Sequence, residues 1–140
     1  SDSGNGIYMI NAKLELFDVA LKGNINAGIY VPEISSEAIV VATRCEFANN
    51  RHGALVSGTS AKFNNCLFYG NTNDGIQGRE CTIHLHGEAT AIHSNGEDGI
   101  WLAQSGKVII HLPSHHNTTY NNGRRDRSTH SGSTITNVPW

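Results

Sequence analysis

A glycine, preceded four residues earlier by an asparagine, recurs along the chain at nearly constant spacing. The repeated glycines stand at positions 6, 28, 53, 75 and 99, so successive units begin 22 to 25 residues apart. From the second unit onward the preceding asparagines are Asn24, Asn49, Asn71 and Asn95. A period of this length is typical of one supersecondary unit that is stacked repeatedly, with insertions placed in loops. The chain is therefore predicted to form a solenoid.

Each unit contains three short segments in which inward apolar positions alternate with outward ones. Alternation of this kind indicates strands, because successive side chains of a strand point to opposite faces. Fifteen glycines, three prolines and a single methionine argue against long helices in these 140 residues. We therefore expect an all-β chain in which each strand pairs in parallel with its equivalent one unit away, so that like residues stack in inward columns.

The alternation assigns inward side chains to each of the three strands. In the first strand they are Ile7/Met9, Ile29/Val31, Ala54/Val56, Ile76/Gly78 and Ile100/Leu102. In the second strand they are Leu14/Leu16, Ile39/Val41, Ala61/Phe63, Ile83/Leu85 and Val108/Ile110. In the third strand they are Val19/Leu21, Cys45/Phe47, Cys66/Phe68, Thr90/Ile92 and Thr118/Tyr120. The segment from Ser133 to Val138 is expected to form a last strand that closes the stack.

The asparagines and glycines occupy one corner of the predicted unit. Asparagine satisfies backbone groups in turns, and the glycine that follows accepts a positive φ without a steric penalty. One asparagine per unit at the same corner predicts a hydrogen-bonded ladder. Its expected members are Asn24, Asn49 or Asn50, Asn71 and Asn95.

The three-strand unit with its Asn-x-x-x-Gly-Ile corner resembles the repeat of right-handed parallel β-helix proteins, which include pectate lyases, polygalacturonases and alginate epimerases. The resemblance covers roughly residues 5 to 138 and implies a right-handed parallel β-helix solenoid of about six short coils, with three strands per coil. We expect a single such domain over residues 1–140, either whole or as a fragment of a longer chain. The resemblance implies a fold rather than a function, because the repeat encodes the stack and not a site.

Charge and composition exclude several kinds of partner. The formal net charge is −2, and the ten Lys and Arg residues are scattered apart from Arg124, Arg125 and Arg127. Nucleic-acid surfaces are usually basic patches, so we expect no nucleic-acid partner. No apolar run approaches the ~18 to 20 residues that a membrane span needs, and we expect no membrane partner. The sequence indicates no particular compartment.

The three cysteines form no metal-binding pair such as Cys-x-x-Cys, and their number is odd. Cys45 and Cys66 occupy one inward column in successive units, where a disulfide between parallel neighbours would be sterically awkward. We interpret both as buried thiols, and Cys81 as a third free thiol. No cofactor is predicted.

Asp74 and Asp98 precede the repeated glycine in consecutive units. Their Cα atoms should lie about one strand spacing apart, ~4.8 Å, and carboxylates that close can serve as acid and base in glycoside hydrolysis. Residues 71–75 resemble the polygalacturonase Asn-Thr-Asp-Gly motif with one residue inserted. That family's His-Gly should follow one unit later, whereas His52-Gly53 comes before, and no Arg-x-Lys motif appears downstream. We favour turn chemistry for both aspartates.

Three histidines, His84, His86 and His111, project outward from the second strands of two adjacent units. Imidazoles at this spacing can share a transition metal or a proton relay. No carboxylate or cysteine joins them on that face in the aligned register, so solvated or interface histidines are the preferred interpretation. No metal site is predicted, and these three residues are the candidates should there be one.

The outward column of the first strands contains Tyr8, Tyr30, Leu55, Gln77 and Trp101. Aromatic rings displayed at a regular rise on a flat sheet can stack on sugar rings, and exposed apolar strips generally mark contact surfaces. A carbohydrate and another protein chain are equally compatible with this column. We expect its two tyrosines, the glutamine and the tryptophan to bind the ligand.

We therefore predict a binding or structural module whose ligand, a carbohydrate or a protein, lies along an outer sheet face. First and last coils leave backbone groups open, so we also expect a homo-oligomer, formed through the solenoid ends or through the outward column. The alternative is a polysaccharide-active enzyme, of uronan hydrolase, lyase or epimerase type, that uses Asp74 and Asp98 as acid and base. In that case Arg79 or Arg124 would hold a sugar carboxylate.

Overall fold

The computed structural model describes residues 4–33, 38–114 and 118–139, which form short strands and no helix. In chain order the strands are β1 (Ile7–Tyr8), β2 (Lys13–Phe17), β3 (Ala20–Lys22), β4 (Ala27–Val31), β5 (Ile39–Thr43), β6 (Glu46–Ala48), β7 (His52–Ser57), β8 (Ser60–Asn64), β9 (Leu67–Tyr69), β10 (Ile76–Arg79), β11 (Thr82–Gly87), β12 (Ala91–His93), β13 (Asp98–Ala103), β14 (Lys107–Ser114), β15 (Thr119–Tyr120), β16 (Arg125–Thr129) and β17 (Thr134–Val138). The described residues contain no helix with the length and apolar composition needed to cross a membrane.

Three parallel sheets form the walls of a solenoid. Sheet 1 contains β1, β4, β7, β10, β13 and β16; sheet 2 contains β2, β5, β8, β11, β14 and β17; sheet 3 contains β3, β6, β9, β12 and β15. Each strand thus pairs with the strand three places later in the chain. The described residues make five complete coils and two strands of a further one. The predicted all-β, three-strand coil is confirmed, including β17 as its last strand.

The inward columns build one continuous hydrophobic core. Phe47 and Phe68 stack in sheet 3 with ring centroids 4.8 Å apart, and Phe63 of sheet 2 meets Phe68 edge-on at 4.9 Å. Ile92 follows Phe68 in the same column, as predicted. All four side chains are fully buried, and aromatic pairs in these orientations stabilise a core beyond the area that they remove from water.

The register of sheet 2 differs from the prediction in one strand, β5. Val40 and Ala42 occupy the inward columns, whereas Ile39 is 40% exposed and Val41 lies on the outer face. A shift of one residue moves every side chain of a strand to the opposite face. Residues 39–41 are all apolar, so the sequence shows no alternation there that would distinguish the inward face of β5 from the outward face.

The last strand of sheet 3, β15, is also shifted. Thr119 lies opposite Ile92 in the inward column, and Tyr120 lies opposite His93 on the outer face. The predicted inward position of Tyr120 is therefore wrong, although Thr118 is buried. The connection from β14 to β15 is longer than the connection from β11 to β12 in the preceding coil. The length of this connection sets the register of β15, and the apolar pattern does not reveal it.

The asparagine ladder is present at the corner between sheets 3 and 1. The Asn71 side-chain amide donates to Asn95 Oδ1 at 2.8 Å and to the Phe47 carbonyl oxygen at 3.1 Å. Asn95 repeats both bonds one coil later. The members of the ladder are Asn24, Asn50, Asn71, Asn95 and Asn122. The prediction is confirmed, with Asn50 rather than Asn49 as the member from its coil and with Asn122 extending the ladder.

The repeated glycines are required by close approach rather than by φ. A Cβ atom at Gly75 would lie 2.9 Å from Asn95 Nδ2 and 2.8 Å from the Gly99 carbonyl oxygen. Gly75 does not have a positive φ, and neither does Gly53. The predicted reason for these glycines is therefore wrong: the asparagine ladder and the neighbouring backbone leave no space for a side chain.

The three cysteines are buried free thiols, as predicted. Burial raises the pKa of Cys66 to about 12 and the pKa of Cys81 to about 11. Both thiols are therefore protonated at neutral pH, and a protonated thiol is a poor nucleophile and metal ligand.

Candidate functional site

The outer column of sheet 1 runs the length of the solenoid. Tyr8, Tyr30, Leu55, Gln77 and Trp101 pair in register through β1, β4, β7, β10 and β13. Each of these side chains is half-buried rather than fully exposed. The predicted column exists as one surface, and its ligand-binding role stays a prediction.

A groove of about 280 Å³ crosses this column near its middle. Its lining residues are Tyr30, Glu33, Leu55, Ser57, Gln77 and Arg79. The Arg79 guanidinium lies 4.8 Å from the ring centre of Trp101, and the His130 ring lies 5.3 Å from the same indole. The groove lining thus combines an aromatic ring and an aliphatic side chain with hydroxyl, amide, carboxylate and guanidinium groups.

The two predicted acidic residues lie close together beside this groove. The backbone N–H of Asp98 donates to Asp74 Oδ1 at 3.0 Å, and the Gln77 side-chain amide donates to Asp74 Oδ2 at 3.0 Å. Asp74 is 3% exposed and Asp98 is 1% exposed. Burial raises the pKa of Asp74. Gln77 therefore joins the acidic pair to the groove, but neither carboxylate is open to solvent.

His52 belongs to the same cluster, which the sequence interpretation missed. Its Nδ1 lies 3.8 Å from Asp74 Oδ2, one coil away. Burial, together with the nearby charge of Arg51, lowers the pKa of His52 to about 4. The imidazole is therefore neutral at pH 7, and no ion pair with Asp74 forms. The sequence contained a signal for this contact: His52 directly precedes a repeated glycine, and Asp74 and Asp98 occupy the same position in the next two units.

Two polar atoms in this cluster are buried without a hydrogen-bond partner among the described residues. They are His52 Nδ1 and Asp98 Oδ1. The Arg124 guanidinium lies 3.7 Å from Asp98 Oδ1, which is an ion-pair contact and not a hydrogen bond. Of the two arginines considered for a sugar carboxylate, Arg124 contacts the acidic pair and Arg79 lines the groove. A buried polar atom without a hydrogen bond costs free energy, so folding alone does not explain this cluster.

A separate cluster lies on the outer face of sheet 2. His86 and His111 stack with ring centroids 4.0 Å apart, and His84 Nδ1 lies 2.8 Å from His111 Nε2. The structure therefore brings the three predicted histidines together. Partial burial lowers the pKa of both His84 and His86.

Comparison with known proteins identifies the family of this chain. The family model described as right handed beta helix region matches residues 1–138, which is nearly the whole length. The chain belongs to the right-handed β-helix family. No curated protein and no solved structure matches it significantly. Family membership agrees with the solenoid and with its predicted hand, and it assigns no function to the outer faces.

The outer face of sheet 3 in this β-helix carries a stack that the sequence interpretation did not anticipate. His93 lies between Tyr69, at 5.4 Å, and Tyr120, at 4.8 Å, with all three rings nearly parallel. The Tyr69 hydroxyl also donates to Glu46 Oε1 at 2.5 Å. The wrong inward assignment of Tyr120 concealed this stack.

A larger cavity, of about 710 Å³, lies at the corner of the β-helix between sheets 1 and 2. It is lined mainly by turn residues, among them Thr59, Glu80, Gln104 and Ser105. It contains no residue of the outer column, the acidic pair or the histidine cluster. Because this cavity contains none of the candidate residues, we place the candidate site at the sheet 1 groove.

Proposed function

We propose that this β-helix is a binding module that holds a carbohydrate chain along the outer face of sheet 1. The observation that carries the proposal is the groove among Tyr30, Leu55 and Gln77. The Tyr30 ring and the Leu55 side chain offer apolar surface to the C–H face of a sugar ring. Arg79 and Glu33 also line the groove and offer hydrogen-bonding partners for hydroxyl or carboxylate groups.

The repeat of the solenoid suits an extended ligand. Equivalent positions of the outer column recur once per coil, at the ~4.8 Å spacing of neighbouring strands. A polysaccharide that lies parallel to the solenoid axis would meet an aromatic, aliphatic or amide side chain at each coil. Trp101 does not line the groove itself, but Arg79, which does, lies beside its ring.

The burial of the acidic pair agrees better with a binding module than with an enzyme. Asp74 and Asp98 are nearly inaccessible, and the Asp74 carboxylate already accepts hydrogen bonds from the Asp98 backbone and from Gln77. A substrate in the groove would contact Gln77 first. The Asp74 carboxylate therefore supports the position of Gln77 instead of facing the ligand.

A glycan-array screen of tag-free protein, paired with its mass in solution, tests the proposal. We expect the wild type to bind a polysaccharide. Arg79→Gln should lower the affinity at least about tenfold, because it removes the guanidinium contact from the groove lining to the ligand. Arg44→Gln is the matched control, since Arg44 is exposed and pairs with Asp18 away from sheet 1. A stable oligomer without any glycan binding would identify the groove as a protein contact surface and would overturn the carbohydrate assignment.

A second candidate is a polysaccharide-active enzyme that uses Asp74 and Asp98. The observation in its favour is that Asp98 Oδ1 and His52 Nδ1 are both buried without a hydrogen bond, and that His52 lies 3.8 Å from Asp74, because buried clusters of titratable groups are frequent in active sites. Incubation with acidic polysaccharides, followed by detection of new chain ends, separates the two candidates. We expect no cleavage by the wild type. Uronan cleavage that Asp98→Asn abolishes, without a lower melting temperature, would establish the enzyme.

A further inference from the structure

The histidine cluster on sheet 2 is independent of the sheet 1 groove and has no role in the proposed function. His84 and His86 come from β11 and His111 comes from β14. One ring nitrogen can be taken from each residue so that all three nitrogens lie within 4.8 Å of one another. No other group of three histidine, cysteine or acidic side chains with this property occurs in the described residues.

The backbone explains how three imidazoles meet. The strands β11 and β14 pair in register as far as Leu85 and Ile110, and the register then shifts before Gly87 and Ser114. This bulge lies at the level of the histidine cluster, and bulges commonly re-aim side chains. Each strand is also paired on its other edge, β11 with β8 and β14 with β17. The histidines are thus carried by rigid strands rather than by a loop.

The separations of the ring nitrogens are close to those that a metal ion requires. Zn²⁺ binds imidazole nitrogen at about 2.0 to 2.1 Å with tetrahedral angles, so two nitrogens on one ion lie about 3.3 Å apart. The His84 and His111 nitrogens, at 2.8 Å, are slightly closer than this, and the widest separation in the set stays within 4.8 Å. His86 and His111 are stacked with their planes 9° apart, so the half-buried rings must rotate before their in-plane lone pairs converge on one ion.

We propose that His84, His86 and His111 bind one divalent first-row transition-metal ion on the outer face of sheet 2. Imidazole is a preferred ligand of Zn²⁺, Cu²⁺ and Ni²⁺, whereas Mg²⁺ and Ca²⁺ prefer oxygen. Three protein ligands leave a fourth position for water or for a group from a ligand. This arrangement distinguishes the site from closed structural zinc sites, which have four protein ligands.

Lys62 lies next to this cluster and provides a way to tune it. It is opposite His84 in the neighbouring strand β8, and its positive charge acts on both His84 and His86. A positive charge beside a cation site lowers the affinity of that site. Lys62→Gln should therefore bind the metal more tightly than the wild type.

Calorimetric titration of the tag-free, metal-stripped chain tests the proposal. We expect one Zn²⁺ per chain, no detectable binding of Mg²⁺, and an intense visible absorption of bound Co²⁺ that is typical of nitrogen ligands in tetrahedral geometry. His111→Gln should weaken Zn²⁺ binding at least about tenfold, because His111 contacts both other imidazoles. His93→Gln is the control, since His93 is a half-buried histidine on sheet 3, and it should bind as the wild type does.

Two further histidines, close to His111 in sequence, could also bind Zn²⁺ and must be kept constant. His115 and His116 lie outside the described residues, and both stay in every variant so that any binding by them contributes equally. The circular dichroism of each variant is compared before titration, and His86→Gln replaces His111→Gln should the latter fail to fold. The proposal is wrong if the wild type takes up no Zn²⁺, or if the folded cluster variant binds Zn²⁺ as tightly as His93→Gln.

Discussion

The interior columns and the outer column of sheet 1 follow opposite rules. Inside, nearly all equivalent positions hold apolar residues from coil to coil, as with Phe47 and Phe68. Outside, successive coils present unlike residues, such as Leu55, Gln77 and Trp101. The difference has a physical cause: each interior position lies in a close-packed core that excludes water, whereas an outer position only has to tolerate water. Variation on the outside is therefore compatible with a stable stack.

One column belongs to neither class. The residues before the repeated glycines include His52, Asp74 and Asp98, which are buried like the core but differ from coil to coil like the outer face. Burial of polar groups costs free energy unless each one is hydrogen-bonded, and two atoms here are not. The comparison thus indicates that folding alone does not account for this column.

The strongest test of the interior rule is Phe68→Ala. The ring stacks on Phe47 and meets Phe63 edge-on, so its removal should lower the free energy of unfolding by about 3 to 5 kcal/mol. Urea denaturation measures the change. Phe17→Ala is the control, because Phe17 is 56% exposed, and it should change stability by less than about 1 kcal/mol. A loss below about 1 kcal/mol for Phe68→Ala would contradict the interior rule.

The asparagine ladder should be nearly as sensitive. Asn71→Leu removes the donor to Asn95 Oδ1 and to the Phe47 carbonyl oxygen, together with the acceptor of the Asn50 backbone N–H. Each buried group left without a partner should cost about 1 to 3 kcal/mol. The exposed Asn137, changed to Leu, provides the matched control. An unchanged denaturation midpoint for Asn71→Leu would show that the ladder does not stabilise the coils.

The mixed column predicts a pH dependence of stability. His52 has a pKa of about 4 in the folded protein against an ordinary value of 6.5, so the unfolded chain binds its proton first as the pH falls. The contribution of His52 is therefore present above pH 6.5 and is lost progressively toward pH 4, by up to about 3 kcal/mol. His52→Gln should flatten the dependence of unfolding free energy on pH in this window.

Other groups contribute to the same titration but remain in both proteins. The lowered pKa values of His84 and His86 give slopes of the same sign, and the raised pKa of Asp74 gives the opposite sign near its own titration. Most of their effects cancel when the wild type and His52→Gln are compared. Parallel curves for the two proteins between pH 6.5 and pH 4 would mean that His52 is not buried in its neutral form.

The outer column should affect assembly more than stability. We expect the wild type to self-associate, either through the ends of the solenoid or through the column that contains Trp101. Trp101→Ser should weaken association if the column is used and leave it intact if the ends are used. Sedimentation velocity over a wide concentration range distinguishes these outcomes. A wild-type mass that stays monomeric throughout would contradict both.

The sequence by itself determined the stack. The 22 to 25 residue spacing of the glycines, the inward apolar alternation and one asparagine per corner were sufficient to predict parallel coils and the ladder. These features are readable because parallel pairing places equivalent residues of successive units side by side, so the same requirement of burial recurs at the same position in each repeat.

Only the tertiary structure decided which side chains meet. The inward face of β5, the outward position of Tyr120 and the contact of His52 with Asp74 all depend on register between coils. The 2.8 Å approach of His84 to His111 depends, in the same way, on how neighbouring strands align. Register is set by the lengths and conformations of the connections and by local bulges, and a pattern of apolar residues does not encode them.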